Sequence, residues 1–420
     1  MRKNTAFLCL LISLSLLSCA SYGKLEKYGE EYTDYRNFLD DREVPLFSGG
    51  EPSFYFDGTQ WMNRALEAIE QAEDYILIDS FLTTVHENTF RIFRALKEKQ
   101  DQGVRIYIMV DSSSYYRSYP RTGTAIDAAI PEARALGLPI MEYNPIRGNR
   151  VPTLFRLFNR DHRKFWIVDG RSVTLGGQNI DFDSLRDPGE GGCVDTMVEV
   201  PSAGAVEMLR DSFVRTWNSF SIEKLKSEDF PVRAPREGEV QYRVFNQGFR
   251  EGEEITDLFD TFFTFADRSI WMVQCYAYPT PALMDRIRYA LDRGVEVNLI
   301  VSASHLSTRF YKASYYTLKD LLEMGVNVYM YEHPGEALLH YKLLLADNDL
   351  AAVGSANFNL RSQTTSRELT VLFDHPPAVQ AVRNNIDEIL KLCRRVTPEE
   401  ALKYRGADYF LNFLLMQFWG

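Results

Sequence analysis

The chain has 420 residues, 45% hydrophobic and 25% charged. That is globular composition, but the chain is too long for one compact core, so two domains or two fused halves are expected. A formal net charge of −11 and the lack of any long Lys/Arg run argue against a general polyanion binder, which needs a basic face to release counterions, so nucleic acid is an unlikely partner.

In chain order, Arg2 and Lys3 precede an uncharged apolar run from Ala6 to Leu17, followed by Ser18-Cys19-Ala20. The run is too short to span a bilayer, and its basic start and small-residue boundary describe an export signal over residues 1–18. Leu16-Leu17-Ser18-Cys19 resembles a bacterial lipobox, which implies cleavage before Cys19 and its lipidation. The expected location is therefore the bacterial cell envelope, with outer-membrane sorting compatible with Ala20. Losing Arg2 and Lys3 but no acid takes the formal charge from −11 to −13. Cys193, Cys275 and Cys393 then remain, and an odd number implies no disulfide framework.

Residues 19–43 read as a polar tether, with order beginning near Val44. The first half, 44–222, is expected to hold a helix over Gln60 to Ala72, a strand over Tyr75 to Ser80, a helix over Thr89 to Lys99 and a strand over Val104 to Val110. A linker at 223–239 is rich in Lys, Glu, Pro and Gly. The second half, 240–398, repeats the order: strand Ile270 to Cys275, helix Pro281 to Asp292, strand Val295 to Val301, helix Leu318 to Glu323, strand Val326 to Tyr331. An aromatic tail over 399–420 ends the chain and is too short to span a bilayer. This alternation predicts an α/β protein, each half a sheet flanked by helices.

One pattern occurs twice. His162-Arg163-Lys164, Asp169, Gly176-Gly177 and Asn179 recur 178 positions later as His340-Tyr341-Lys342, Asp347, Gly354-Ser355 and Asn357, with every interval preserved. Asp169-Gly170 predicts a two-residue hairpin turn, which would set Lys164 opposite Leu175 and His162 opposite Gly177. The same count sets His340 opposite Ser355. Alternation puts each His on the face of its Lys, with Asp169 and Asp347 at the turns as supports.

Phosphodiester chemistry fits this set. One imidazole can attack phosphorus while a second, protonated one gives its proton to the leaving oxygen. Lys164, Lys342, Asn179 and Asn357 could stabilise the growing charge, each such donor being worth about 3–4 kcal/mol. Gly177 would let the phosphate approach the backbone, and Ser355 would add a hydroxyl on one side only. Each histidine also needs an orienting acid. Asp195 and Glu368 lie 33 and 28 residues after His162 and His340, at matching places in apolar runs. Zinc is disfavoured because each histidine is paired with lysine, which is not a normal ligand, and His86, His305, His333 and His375 fall at no ligand spacing.

The paired motifs resemble the phospholipase D superfamily, and their details the bacterial cardiolipin synthase branch, from about Leu46 to about Leu392. Phe56-Asp57-Gly58, Asn144-Pro145, Asn159-Arg160-Asp161 and Arg361-Ser362 support the resemblance. It implies two pseudo-twofold-related halves packed as an α/β/α/β sandwich with the active site at their seam. It also implies that His162 is the nucleophile forming a phosphohistidine, that His340 is the general acid, that Asp195 and Glu368 orient histidines, and that no metal or cofactor is needed. The expected activity is that of a phosphodiesterase or phosphatidyltransferase on phospholipid at a membrane surface, with no obligate protein partner. An exported nuclease of the same superfamily and a non-catalytic membrane-tethered binding protein are the rival readings. Tyrosine-rich segments at Ser112 to Thr124 and Ser302 to Tyr316 are the expected specificity loops, and the Thr153 to Phe158 run and the tail are candidates for acyl-chain contact.

Overall fold

A computed structural model describes residues 21–116, 128–145, 159–249, 254–303 and 308–419. The export signal, Cys19, His305, the Thr153 to Phe158 run and the later part of the first specificity loop fall outside these residues.

Two sheets carry the fold. The first has seven strands in the order Ser53–Tyr55, Met197–Val200, Ser172–Gly176, Phe165–Val168, Tyr75–Ser80, Arg105–Asp111, Ile140–Tyr143. The second repeats that order with Val240–Gln247, Ser366–Phe373, Leu350–Gly354, Lys342–Ala346, Ser269–Gln274, Glu296–Ser302 and Asn327–Tyr331, extended by Leu46–Gly49 at one edge and Cys393–Arg395 at the other. In each sheet three parallel strands meet an antiparallel motif hairpin.

Alternation along the central strands builds separate inner and outer cores. Tyr75 and Leu77 face inward and meet Leu343, Leu345 and Val353 of the other half, whereas Ile76 and Ile78 face an outer core under the helices Gly58–Glu70 and Glu87–Asp101. Such strands are buried on both faces, which explains their nearly unbroken apolar composition. The helices Ala203–Phe220 and Pro376–Leu390 contribute Phe213, Trp217, Val382 and Ile386 to the inner core. The two halves thus share one interior.

Three sequence expectations change here. Residues 21–31 and Tyr35–Asp41 are helical, and Leu25, Tyr28, Phe38 and Leu39 bury into the outer core of the second half, so this stretch is packed structure and not a tether. Its tyrosines and leucines recur at helical spacing between charged residues, a pattern masked by the overall polarity. Leu46–Gly49, assigned to the first half, pairs antiparallel with Val240–Gln247 in the second sheet. Finally, Arg309–Met324 is one helix, so most of the second expected specificity loop is helical.

The motif hairpins also differ by one residue from the predicted register. Val168 pairs with Ser172 and Ala346 with Leu350, leaving the three-residue loops 169–171 and 347–349. Asp169, Gly170, Asp347 and Asn348 all take positive φ, a conformation open to Gly, Asn and Asp. Lys164 consequently lies beside Gly176, whose N–H donates to the Lys164 carbonyl at 3.2 Å, and Gly177 is not opposite His162.

Asp169 and Asp347 do similar structural work. Asp169 accepts from the backbone N–H groups of Glu73, Asp74 and Tyr75 at 2.8–3.0 Å, and Asp347 from those of Asp267, Arg268 and Ser269 at 2.7–2.8 Å. Each carboxylate ties its hairpin to the start of the central strand through charge-assisted bonds worth about 1.5–3 kcal/mol apiece.

Candidate active site

Each motif histidine is delivered to the seam by a short lead-in segment that crosses to the other half. Arg160–Asp161 pairs in parallel with Ser366 and Arg367, and Leu338–Leu339 pairs in parallel with Cys193 and Val194. The next backbone bonds continue both clasps: His162 N–H donates to the Arg367 carbonyl at 3.0 Å, and His340 N–H to the Val194 carbonyl at 2.8 Å. One residue further on stand Glu368 and Asp195.

The acids therefore serve the opposite half. His162 Nδ1 lies 3.0 Å from Glu368 Oε2 and 3.2 Å from Oε1, and His340 Nδ1 lies 2.6 Å from Asp195 Oδ2. The assignment of Asp195 to His162 and Glu368 to His340, suggested by the 33- and 28-residue intervals, is corrected to this crossed arrangement. Sequence spacing located both acids but could not pair them, because the partners are 206 and 145 residues apart.

Gly177 and Ser355 also have different tasks from those expected. A Cβ at Gly177 would fall 2.2–2.5 Å from the carboxylate of Asp195, so the glycine makes room for that acid. Fully buried Ser355 donates its hydroxyl to Glu368 Oε2 at 2.5 Å and accepts from Leu369 N–H at 3.0 Å. Both positions shape the carboxyl groups behind the histidines. Ser362, missed as a site residue, donates to Glu368 Oε1 at 2.7 Å and accepts from the Asn357 backbone at 3.0 Å. The Arg361-Ser362 pair after Asn357 was the available signal for it.

Lys164 Nζ donates to the His162 carbonyl, and Lys342 Nζ to that of His340. Lys342 Nζ also lies 2.9–3.0 Å from both ring nitrogens of His340 and 4.0 Å from Asp195. Asn179 accepts from Leu82 N–H at 3.1 Å through its amide oxygen.

Electrostatics follow from burial of like charges. Burial, then Lys164 and Lys342, holds the His162 imidazolium well below its usual range, so the ring is neutral. His340 is lowered to about 4 by burial and Lys342, against the pull of Asp195. Lys164 falls to about 7, again through burial and then Lys342. Burial raises Glu368 to about 7, although Lys164, Ser355 and Ser362 favour its ionised form. Such opposed shifts in one cleft are what acid–base chemistry near neutral pH requires.

His162, His340, Asn179, Asn357 and Glu368 line one cavity of about 620 Å³ at the seam. Its walls divide by chemistry. Phe81 packs edge-on against His162 with ring centroids 4.8 Å apart, while Tyr276, Tyr278, Phe310 and Tyr311 form an aromatic side and Arg309 and Arg361 supply cations. The C-terminal helix Ala407–Trp419 buttresses that side, with Met416 and Phe413 packed around Tyr276, Tyr278 and Phe310 and with Leu411 and Leu415 left exposed. Among the described residues no helix is long and apolar enough to cross a membrane.

The family model described as "Cardiolipin synthase, PLD-like domain" matches residues 65–217 and 261–390, together more than half of the chain. The chain belongs to that family. It is an enzyme of the phospholipase D superfamily, in its cardiolipin synthase branch. Similar curated proteins include the probable cardiolipin synthase YwiE of Bacillus subtilis, 26% identical over 84% of this chain and 68% of its own length. Cardiolipin synthase 1 of Staphylococcus epidermidis is 25% identical over 90% of this chain and 76% of its own length. Among solved structures, the phosphatidylserine synthase of Haemophilus influenzae superposes with a TM-score of 0.71 at 13% identity, covering 92% of this chain and 99% of that one, which establishes the shared fold of this phospholipase D-like protein.

Proposed function

We propose that this protein transfers phosphatidyl groups of membrane phospholipids, to water or to an alcohol, through a phosphohistidine. The observation that carries the reading is the convergence of two His-Asn pairs on one cavity, each imidazole backed by a buried acid from the other half, with Lys164 and Lys342 bonded to the carbonyls of the two histidines. With Nδ1 of His162 held by Glu368, Nε2 is the free nucleophilic atom. It attacks phosphorus, the bond to the departing headgroup oxygen breaks, and His340 supplies the proton to that oxygen. Water or an alcohol hydroxyl then attacks phosphorus, giving its proton to His340, and the P–N bond breaks to release His162.

Lys164 and Lys342, with Asn179 and Asn357, would hold the non-bridging oxygens. A phosphodiester anion beside these cations favours the charged forms of Lys164 and His340, which equips the latter as an acid when substrate is bound. The aromatic and cationic wall suits a zwitterionic or polyol headgroup, and attachment through Cys19 would keep the protein at the membrane surface. The names of the similar synthases support phospholipid as the substrate class.

Incubating the purified protein with vesicles of labelled phosphatidylglycerol, with and without glycerol, and separately with single-stranded DNA tests the reading. Phosphatidyl products are expected from the vesicles. Turnover of DNA alone would overturn the phospholipid assignment in favour of a nuclease.

The lowered Lys164 gives a pH prediction. In the free enzyme its positive charge is lost as pH rises through about 7, so kcat/KM falls on the alkaline side. Lys164→Arg keeps its charge and is expected to move that limb upward by at least a pH unit, even if the maximum rate drops. An unmoved limb would mean that another group controls it.

A further inference from the structure

The two clasps have the same backbone geometry and opposite chemistry. Around His340 the pairing residues are Leu338, Leu339, Cys193 and Val194, with Tyr341 following the histidine. Around His162 they are Arg160, Asp161, Ser366 and Arg367, with Arg163 following. The strand position facing the hairpin is likewise apolar Val273 in one half and Asp79 in the other, paired with Leu343 and Phe165 respectively.

These charges form one buried network. Asp161 receives Arg163 Nε at 2.8 Å and Arg367 at 2.6 Å, while its own N–H donates to Asp111 at 2.8 Å. Arg163 continues to Asp79 at 3.0 Å, Ser212 at 2.8 Å and Asn246 at 2.9 Å, the last from the second half. Arg163, Asp161 and Asp79 are completely buried, and Arg367 is 12% exposed. Despite burial, Arg163 and Arg367 hold Asp161 below the usual carboxylate range, so the network keeps a charge at its centre.

Buried ion pairs are weak devices for stability, because desolvation offsets much of their attraction; their attested use is to fix register. Here the residues flanking His162 on both sides, Asp161 and Arg163, are joined to Arg367, the neighbour of Glu368. Movement of His162 relative to Glu368 would therefore separate desolvated charges, whereas the apolar clasp at His340 offers no such directional restraint.

We propose that Asp161, Arg163 and Arg367 form a positioning element that fixes His162 against Glu368 across the seam. They act through that pair and touch no substrate. The idea rests on the reactive role given to His162 above, but it can be read without turnover.

The groups facing His162 are Glu368, Lys164, Lys342, Arg361 and His340, so its titration reports on this neighbourhood. The test uses the full chain with Arg367→Met and Arg367→Lys, following kcat, KM and the histidine ring-nitrogen NMR signals across pH. Arg367→Met is expected to lower kcat at least tenfold with KM within about twofold, to move the His162 signals, and to leave those of His340 in place. Arg367→Lys, which keeps one charged donor, is expected to recover most of the rate. Unmoved His162 signals, or equal movement of both histidines, would overturn the proposal. If the wild-type protein turned over no phospholipid, the function would be wrong while the His162 signals still decided the positioning role. Should Arg367→Met not fold, Arg367→Gln takes its place: a wild-type His162 titration and undiminished kcat at reduced thermal stability would mark the network as merely structural, whereas a shifted titration with lowered kcat would support the proposal.

Discussion

His162→Asn is expected to yield a folded protein that forms no covalent adduct with labelled phosphatidylglycerol and turns over at least about 1,000-fold more slowly, the scale of losing a group essential to a covalent route. Asparagine can occupy much of the imidazole volume, and the motif's structural ties run through Asp169, so the fold has no reason to fail. His340→Asn is predicted to behave differently. Loss of a general acid costs about 100- to 10,000-fold only where the leaving oxygen needs a proton. With a p-nitrophenyl ester, whose phenolate leaves unaided, His340→Asn is expected to form the adduct at a near-normal rate and then to accumulate it, because deprotonation of the attacking water also needs His340. Rapid-quench measurement of labelled protein distinguishes the two. An adduct that persists in His162→Asn and disappears in His340→Asn would reverse their roles.

Much of this site is legible in the chain because its components repeat. Equal spacing identified both histidines, lysines and asparagines, and apolar runs located Glu368, which lies in the strand Ser366–Phe373, and Asp195, which lies in the break between Cys193–Val194 and Met197–Val200. What sequence did not reveal depends on how the halves meet. The pairing of acids with histidines is decided by the lead-in segments 160–161 and 338–339, two residues each, too short to give a periodic signal. The one-residue error in hairpin register came from reading Asp169-Gly170 as a complete loop, whereas Arg171 and Asp349 also lie outside the ladders. That single residue moved Gly177 and Ser355 from the histidines to the acids behind them. The N-terminal helices were missed for another reason. Their polar face dominates residues 24–35, and the four side chains that bury do so against helices of the second half, more than 200 residues away.

The crossed acids make a second prediction with large effects. Glutamine in place of Glu368 keeps one acceptor oxygen, for Ser362, but an amide nitrogen at the Oε2 position would present N–H to Nδ1. The ring would then carry its proton on Nε2, the atom required to attack, and loss of the right tautomer costs up to about 10,000-fold in a comparable Asp–His pair. Glu368→Gln is therefore expected to copy His162→Asn, slowing adduct formation with phosphatidylglycerol and the p-nitrophenyl ester alike. Asp195→Asn is expected to copy His340→Asn, with a loss that is large for phosphatidylglycerol and small for the activated ester in the adduct-forming step. Pairing within halves predicts the opposite pattern, because Asp195 would then belong to His162. The ratio of adduct-forming rates on the two substrates decides between them, since that ratio cancels any common loss of folded protein. A rise in activated-ester preference in Glu368→Gln, without one in Asp195→Asn, would refute the crossed geometry as the working arrangement. The expected pattern would make each half inactive alone for a specific reason: each carries the histidine that its partner's acid must orient.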